Sequence, residues 1–522
     1  MINFIKNRLA LFLVVIVFVI CKIPYLFYAY YWDESWPYVP AIRAMYRHGA
    51  SLMPGSVEPN LTRGHPLFFH AIGAIWMNVF GASHVSMHSF ALLISVAMLV
   101  VVYEAGLSLF NKRVAIMSLL LVATQVIFFV QSSFLLPEVL VALLVFLSIY
   151  FFVKDKYLLA ALCLTALFYT KESGLITGVV FGVAAVIGLF NKKERMQVRL
   201  LSLSSVAVPC LLICVFFLIQ KHVNGWYIFP LHNDLIEYKW KSFWYTFRMS
   251  VVCSAFLRDY RYWYFILVLL LSVFATIKNK NTWHLVIFLP AIAIYYFVDD
   301  MRAGRLLPSV PFFIVFIFSV ILFLYSLSRL KIYSNVLQEK FSVISCAFIL
   351  CFFCFSAMNF FTPRYLLAAI VPLLFFTAVI FEALMSRTYR QVFYPLLGAF
   401  IVIAFFSFYT NDGSGDADPG AFDGIDVHQH VIAYMEKNGY YSRAVSTCSF
   451  LETQHLVNPD CGFLSRDKVF TNVRWGIDKN TEFVIFDNME SDYRYNDVKK
   501  DNSFHLIDKY QKGRAWSEIY GR

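Results

Sequence analysis

Long apolar runs alternate with short polar segments along most of the chain. Runs of about 17–25 residues with few charges match the thickness of a bilayer, and so predict membrane-spanning helices. Two of the runs, 157–170 and 173–190, are short, which also fits tilted or buried pieces. We predict thirteen spans, at 8–29, 84–108, 114–131, 135–153, 157–170, 173–190, 200–220, 261–277, 282–298, 306–328, 341–360, 365–386 and 391–409.

The first polar loop, at about 30–83, follows directly on the first apolar run. It opens with two adjacent carboxylates, Asp33 and Glu34, set between aromatic residues. Residues 66–80 are apolar at helical spacing but too short to span comfortably, which predicts an amphipathic helix in the membrane interface. A second short helix is predicted at 42–48.

Beyond residue 409 the chain becomes polar. Residues 410–424 form a turn-rich linker, and 425–522 are predicted to fold as a small soluble domain. Its pattern indicates a helix followed by a strand in 431–445 and a buried strand at 482–487. The predicted fold class is an all-α polytopic membrane protein with a membrane domain at 1–409 and a small C-terminal α/β extracytoplasmic domain.

Composition and charge support this picture. The chain is 60% hydrophobic and 15% charged, whereas a soluble chain would be about half apolar and a quarter charged. The net charge of +11 does not indicate nucleic-acid binding, because many basic residues lie in short loops where they set topology. These loops predict a cytoplasmic N-terminus, and the first run, which lacks a small-residue cleavage site, is predicted to be an uncleaved anchor. The loop residues are Lys112, Arg113, Lys154, Lys156, Lys192, Lys193, Arg195, Arg199, Lys278, Lys280, Arg329, Lys331, Arg387 and Arg390.

The ten cysteines lie mostly inside apolar runs, where a thiol acts as a small apolar side chain. The one Cys-X-X-Cys spacing, Cys351 to Cys354, lies inside an apolar run, and no Cys/His zinc spacing is present. Cys448 and Cys461 lie in the polar tail, where a disulfide between them fits an extracytoplasmic location. Their pairing stays open.

The acidic pair is the first candidate for chemistry, because carboxylates at the membrane boundary are costly to desolvate. One of Asp33 and Glu34 would act as a general base or orient an acceptor hydroxyl. Its partner would tune its pKa or help to hold a metal ion. The structural alternative is a solvated pair that caps the next helix. A divalent cation near Asp33 or Glu34 is left open.

Four basic residues on the predicted outer face run against the topology rule: Lys171, Arg302, Arg305 and Arg364. A phosphate or diphosphate on a lipid carrier would account for them, because Lys and Arg pair with phosphate oxygens and neutralise a leaving group. The alternatives are snorkelling at the interface or pairing with nearby acids. Those acids are Glu172, Asp299 and Asp300.

Further residues are candidates for the lining of a polar cavity, or equally for helix caps and satisfied buried groups: Arg63, His65, Glu138 and Tyr365. The histidine pairs 65/70 and 84/88 favour a structural role over a metal site, because spacing fixes no third ligand. The loop 221–261, rich in aromatic and basic residues, fits either an interfacial belt or a lid over a lipid-linked substrate.

The order of these features resembles the GT-C membrane glycosyltransferases. An acidic pair after the first span precedes a long loop with a His-Pro element and a short amphipathic helix ending FGAS. The resemblance covers about residues 8–409 and is nearest to the bacterial branch of aminoarabinose transferases and protein O-mannosyltransferases. Matching segments are LLPEVLVALLVFLSIYFF (135–152), YTKESGLI (169–176), AGRLLPSVPFF (303–313) and PRYLLAAIVPLLFF (363–376).

The resemblance implies an inverting transfer of a sugar from a polyprenyl-phosphate donor to an acceptor at the outer face of the inner membrane. Asp33 would be the essential carboxylate, and the basic residues of the outer face would cradle the donor phosphate. Family members usually carry an arginine near the start of the second span, where this chain has Met87-His88-Ser89. The tail matches least, so the acceptor, whether lipid, glycan or protein, stays open.

The rival hypothesis is a transporter of lipids or lipid-linked sugars, that is, a flippase. Such a protein would carry ionisable residues buried in mid-span along a pathway. Most of the charges here lie at the outer ends of the predicted spans instead, which favours chemistry at the surface. A third and weaker hypothesis is a non-catalytic scaffold.

Overall fold

The structure is a computed structural model that falls into two compact units. One unit comprises Met1–Phe18, Ile94–Phe128 and Pro137–Ser407, and the other comprises Val19–Leu93, Phe129–Leu136 and Phe408–Arg522. Arg302, Arg305, Cys448 and the predicted spans 282–298 and 306–328 lie outside the residues that the structure describes. The described residues are 2–192, 195–279, 333, 335–388, 390–447, 450–465, 468–490 and 494–522.

Apolar helices dominate the described chain, which confirms the predicted fold class of a polytopic helical membrane protein. Seven described helices are long and apolar enough to cross a membrane: Asn7–Phe27, His84–Leu109, Glu172–Leu189, Met196–Asn224, Val336–Ala357, Pro363–Met385 and Phe393–Thr410. Shorter apolar helices are Phe68–Phe80, Glu138–Val153, Tyr157–Phe168 and Tyr262–Phe274. Further helices are Tyr38–His48, Pro59–Thr62, Lys112–Ala123, Val126–Gln131, Pro230–Asp234, Trp240–Thr246, the π-helix Phe247–Leu257, Gly420–Lys437, Phe450–Val457 and Tyr495–Lys500.

The predicted span 114–131 is not one helix. The helix Lys112–Ala123 ends and a separate helix, Val126–Gln131, follows. At the break, Thr124 Oγ1 donates to the carbonyl of Leu120 at 2.7 Å, and Gln125 Nε2 donates to the carbonyl of Leu121 at 3.0 Å. These side chains compete with the next backbone amides for the carbonyls, which favours termination of the helix. The apolar run is continuous in sequence and conceals this break.

Both short helices predicted in the first loop are present, as Tyr38–His48 and Phe68–Phe80. They pack closely, since a Cβ at Gly73 would lie 2.9 Å from Cδ1 of Ile42. Gly81 ends the second helix with φ of +88° and donates its amide to the carbonyl of Met77 at 2.9 Å. Their location in the membrane interface stays a prediction.

The tail contains a five-stranded sheet. Its strands are β1 (Val445–Thr447), β2 (Val473–Trp475), β3 (Phe483–Asp487), β4 (His505–Lys512) and β5 (Ala515–Gly521), in the order β2-β1-β3-β5-β4. β1 runs parallel to β2 and β3, whereas β5 is antiparallel to β3 and β4. All residues of β3 are buried, as expected for an interior strand with an apolar sequence. The predicted strand at 482–487 is confirmed.

The main helix of the tail begins earlier than its sequence suggested. It spans Gly420–Lys437, so the end of the predicted linker 410–424 is helical. The helix stops before Gly439, whose φ of +69° is the left-handed conformation that glycine tolerates best. Its buried face includes Ile425, Val431 and Ile432. The first turns of the helix, GAFDGIDV, mix apolar residues with Asp and Gly, so their sequence predicts a helix only weakly.

Gly106 is expected to tolerate no side chain. A Cβ at this position would lie 2.6 Å from the Cα of Ala115 in the following helix, so backbone would have to move. We expect Gly106→Ala to lower the free energy of unfolding by roughly 1–3 kcal/mol through overpacking. Thermal unfolding in detergent, followed by tryptophan fluorescence, measures the change.

Gly398→Ala is the matched control, because a Cβ there meets no atom within 4 Å. It should leave stability unchanged or raise it by up to about 1 kcal/mol, through helix propensity. Equal unfolding temperatures for the two variants would contradict the close approach of the two helices at Gly106.

Candidate functional site

The acidic pair lies on a single 3-10 turn, Trp32–Glu34. The span Asn7–Phe27 consists of the end of the α-helix Ile2–Lys22 and the 3-10 segment Ile23–Phe27. The α-helix ends at Lys22, because Pro24 in the 3-10 segment cannot donate a backbone hydrogen bond. The two carboxylates differ in their surroundings. Asp33 is partly exposed, whereas Glu34 is completely buried.

Glu34 is held on both of its oxygens. Oε2 accepts from the backbone amide of Tyr31 at 3.1 Å, and Oε1 accepts from the amide of Leu135 at 2.5 Å. Oε1 also lies 3.2 Å from Nε2 of His88. These contacts join the acidic turn, the start of the helix His84–Leu109 and the segment Phe129–Leu136. Glu34 therefore fixes the turn that presents Asp33.

Both ring nitrogens of His88 have a polar neighbour. Nδ1 lies 3.2 Å from the carbonyl oxygen of Leu26, and Nε2 faces Glu34 Oε1. The imidazole therefore bridges the carbonyl of Leu26 and the carboxyl group of Glu34.

Loss of His88 is expected to destabilise the protein. His88→Ala removes this contact and leaves Glu34 buried with its two backbone donors alone. We expect the free energy of unfolding to fall by about 1–3 kcal/mol more than for a histidine without this role. His70→Ala is the control, because His70 is equally buried and its ring nitrogens have no hydrogen-bond partner among the described residues. Equal losses in thermal unfolding would show that the Glu34 contact contributes nothing.

Four of the predicted site residues come together in the other unit: Glu138, Lys171, Arg364 and Tyr365. Lys171 Nζ lies 2.9 Å and Arg364 Nε 3.6 Å from Oε1 of Glu138. The ring of Tyr365 lies beneath both cations, with 4.0 Å from its centroid to Lys171 Nζ and 5.3 Å to the Arg364 guanidinium carbon. We call these four residues the basic cluster.

Each member of the basic cluster lies where a helix begins. Glu138 is the first residue of Glu138–Val153, directly after Pro137. Lys171 is extended and precedes the 3-10 turn Glu172–Gly174, and Arg364 lies in the 3-10 turn Pro363–Leu366. Prolines at two of these starts remove amides that would have no helical partner. These three helix starts therefore bring the side chains of Lys171 and Arg364 to the carboxylate of Glu138.

The basic cluster is largely buried, with 3% exposure for the side chain of Glu138, 4% for Arg364 and 12% for Lys171. The second oxygen of Glu138, Oε2, is buried and has no hydrogen-bond partner among the described residues. The carboxylate thus holds an ammonium and a guanidinium side by side through a single oxygen. N–H donors of these two kinds are those that phosphate oxygens bind most strongly.

The remaining predicted residues lie elsewhere or outside the described chain. The guanidinium carbon of Arg63 lies 3.8 Å from the centroid of the Trp36 ring, and the His65 amide donates to the carbonyl of Thr62 at 3.0 Å. Both residues belong to the same unit as the acidic turn. The rings of His84 and His88 have centroids 6.5 Å apart. The cavity-lining role of Arg63 and His65 stays a prediction, as does any role of Arg302 and Arg305.

The loop 221–261 contains a completely buried arginine, Arg261. Its guanidinium donates to the carbonyl of Ala255 at 2.9 Å and to Gln125 Oε1 at 3.0 Å. It also forms an ion pair with Asp259 at 3.0 Å. Arg261 therefore packs against the break in the helix at Thr124 and Gln125. The choice between an aromatic belt and a lid for this loop stays open.

The tail is bonded to the acidic turn within one unit. The amide of Tyr30 donates to the carbonyl of Cys461 at 2.9 Å, and Tyr28 Oη donates to Asp426 Oδ2 at 2.9 Å. Burial raises the pKa of the Tyr31 phenol well above its usual range, and the nearby Asp487 raises that pKa further. Cys461 is a buried free cysteine. The tail is thus part of the structure that supports Asp33.

Comparisons with known proteins agree with the resemblance seen in the sequence. Residues 64–219 match the family model of dolichyl-phosphate-mannose-protein mannosyltransferases. No curated protein matches the chain. The crystal structure of ArnT from Cupriavidus metallidurans bound to undecaprenyl phosphate is similar with a TM-score of 0.50, at 13% identity and over 97% of each chain. The apo state of the same ArnT gives a TM-score of 0.49, again at 13% identity and 97% coverage of each chain.

The sequence match and the fold are independent observations that agree. The match to the mannosyltransferase model includes two members of the basic cluster, Glu138 and Lys171. The fold similarity extends through the tail as well as the membrane part. The chain is therefore similar to the GT-C membrane glycosyltransferases, in sequence over residues 64–219 and in fold over nearly its whole length.

Proposed function

We propose that this protein is an inverting glycosyltransferase that moves a sugar from a polyprenyl-phosphate donor to an acceptor hydroxyl. The observation that carries the proposal is the basic cluster, in which Lys171 and Arg364 converge on Glu138 above the ring of Tyr365. Buried cations held in a fixed position suit a phosphate, because they lower the cost of its developing charge without reorganising. The family match and the ArnT-like fold support the same class of donor.

In this mechanism the acceptor oxygen attacks the anomeric carbon as the bond to the donor phosphate breaks. Asp33 takes the proton of the acceptor hydroxyl or orients that hydroxyl for attack. Lys171 and Arg364 bind the leaving polyprenyl phosphate, with Arg302 and Arg305 proposed as further phosphate ligands. A single displacement inverts the configuration of the sugar. Glu34 acts as a positioning residue, since both of its oxygens are already hydrogen-bonded.

A divalent cation, which the sequence leaves open, would fit Asp33 better than Glu34. A metal ligand must offer a lone pair, and the Glu34 oxygens face two backbone amides and His88. Asp33 is partly exposed. The proton transfer and the phosphate binding are both assigned to side chains.

We further propose the orientation indicated by the basic loops. The N-terminus would be cytoplasmic, and the tail would lie outside the inner membrane of the cell. The acceptor would then approach from the aqueous side, as a lipid, a glycan or a protein. The donor's prenyl chain would remain among membrane lipids.

The test is sugar transfer by purified protein in liposomes, with a labelled polyprenyl-phosphate sugar as donor. Extracts of lipid, glycan and protein from the source cell envelope serve as acceptors, and liposomes without protein are the control. Protein-dependent movement of label into one acceptor fraction supports the proposal. Absence of transfer, together with protein-dependent movement of a fluorescent polyprenyl phosphate across the bilayer, would favour the flippase instead.

A further inference from the structure

A compact group of metal-ligand side chains lies in the tail, apart from the residues proposed for catalysis. His428, Glu452 and Asp487 each place one ligand atom within 4.8 Å of those of the other two. All three side chains are buried. They come from the helix Gly420–Lys437, the helix Phe450–Val457 and the end of β3. Among the described residues, this is the one such group of three.

One spacing in the group matches that of two ligands on a single metal ion, and the other two are no longer than 4.8 Å. His428 Nε2 lies 3.3 Å from Asp487 Oδ2. Two ligands bound to one tetrahedral zinc ion at about 2.0–2.1 Å lie about 3.3 Å apart. One imidazole nitrogen and two carboxylate oxygens form a ligand set that zinc accepts, as in the sites that combine histidine with acidic residues.

Neighbouring groups already orient two of the three ligands. Asp487 Oδ1 accepts from the backbone amides of Met489 at 2.8 Å and Glu490 at 3.0 Å, so the other oxygen is the one that faces His428. On the far side of the imidazole, His428 Nδ1 lies 3.0 Å from Nδ1 of His455. Contacts of this kind fix the tautomer and the direction of metal ligands in known sites.

Two other buried polar atoms beside the group have no hydrogen-bond partner in the described chain. They are Nε2 of His455 and Oη of Tyr31, and both residues are completely buried. The ring of Tyr31 lies 5.9 Å from that of His428 and 6.1 Å from that of His455. Native interiors rarely leave such atoms unpaired, unless an ion or water completes the site.

Electrostatics gives a second reason for an ion. Glu452 and Asp487 bring two buried carboxyl groups close together, and a buried charge is costly without compensation. Asp487 contacts His428, with 3.3 Å between Asp487 Oδ2 and His428 Nε2. A bound divalent cation would offset the negative charge of two such carboxyl groups.

We propose that His428, Glu452 and Asp487 bind a divalent metal ion of the zinc class, with His455 holding His428 in the required tautomer. The ion would join two helices of the tail to the end of β3. Tyr31 lies against this site and belongs to the segment that leads directly into Asp33 and Glu34. The site is structural, and the proposal does not depend on the proposed sugar transfer.

The experiment measures metal bound by the full-length protein in detergent, after cleavage of any polyhistidine tag. The protein is stripped with chelator, equilibrated with ZnCl₂, passed over a desalting column and analysed by plasma mass spectrometry. We expect about one zinc ion per chain for the wild type. His428→Ala and Asp487→Asn should retain less than about a tenth of this amount.

His430→Ala is the matched control, because His430 lies on the same helix and contacts a carboxylate, Asp508, at 3.1 Å. Unlike His428, it is 39% exposed. This variant should bind zinc as the wild type does. Zinc retained equally by His428→Ala and by wild type, or absent from both, would overturn the proposal.

A second measurement covers the case in which His428→Ala fails to fold. Co²⁺ replaces zinc and gives visible absorption that depends on its ligands, so wild-type protein loaded with CoCl₂ should show absorption typical of a tetrahedral site. Glu452→Gln, which keeps the size of the side chain, should shift or abolish this spectrum. A spectrum of free aqueous Co²⁺ for the folded wild type would also overturn the proposal.

Discussion

Asp33→Asn is expected to lower sugar transfer by about 10²–10⁴-fold, the usual contribution of a positioned general base. Asparagine keeps the size of the side chain but cannot take a proton from the acceptor hydroxyl. Because Asp33 is partly exposed, the change should leave the unfolding temperature near that of the wild type. Initial rates with saturating donor, at equal amounts of folded protein, measure the loss.

Two comparisons make this result specific. Glu58→Gln removes an exposed carboxylate from the same loop and should keep wild-type transfer. Glu34→Gln should instead lower the unfolding temperature, because it disturbs the contact with His88. Undiminished transfer by Asp33→Asn would remove Asp33 as the base and reopen its assignment.

Arg364→Ala is expected to lower transfer by about 10²–10³-fold, as for the loss of one donor that stabilises developing negative charge. Its guanidinium is buried beside Lys171 and Glu138, where water cannot replace it easily. The loss should appear in kcat as well as in KM for the donor, since the phosphate gains charge as it leaves. Arg364→Lys should recover part of the rate, because it restores charge but not the planar guanidinium.

The control is Arg113→Ala. Arg113 also pairs with a largely buried glutamate, with 3.2 Å between its Nη1 and Glu382 Oε1, but it belongs to a predicted cytoplasmic loop. It therefore tests the loss of an ion pair away from the proposed phosphate site. Equal transfer by the Arg364 and Arg113 variants would contradict the role of the basic cluster.

The sequence predicted the helical membrane part well, because long apolar runs have few folded alternatives in a bilayer. It also predicted Phe68–Phe80 and β3, where local pattern and burial agree. The boundary between 123 and 126 was missed. That helix ends through side-chain contacts of Thr124 and Gln125, and the hydropathy of the run does not change there.

For the site, residue types could be predicted from the sequence, but the partners of those residues could not. Lys171 was expected to pair with the adjacent Glu172 or with phosphate, yet the structure shows Glu138 as a partner. Three separate helix starts bring this cluster together, and no local spacing encodes their meeting. The contact between Glu34 and His88 is likewise long-range. A polar His88 in an apolar run was the only sign of it.

The group in the tail was missed for the same reason. His428, Glu452 and Asp487 are far apart in sequence, and their spacing matches no short metal motif. These three residues become neighbours only because the folded tail brings two helices together with the end of β3. The predicted strand at 482–487 ends in Asp487, but its local pattern does not indicate which residues that carboxylate contacts.

The main-chain bond from Tyr30 to Cys461 has a consequence for chimeric proteins. A chimera joined at the linker near residue 411 would pair a foreign tail with the native acidic turn. It would lose both this bond and the ion pair between Arg43 and Asp460. An exchange of acceptor preference between relatives should therefore transplant Val19–Leu93, Phe129–Leu136 and Phe408–Arg522 together, as one unit.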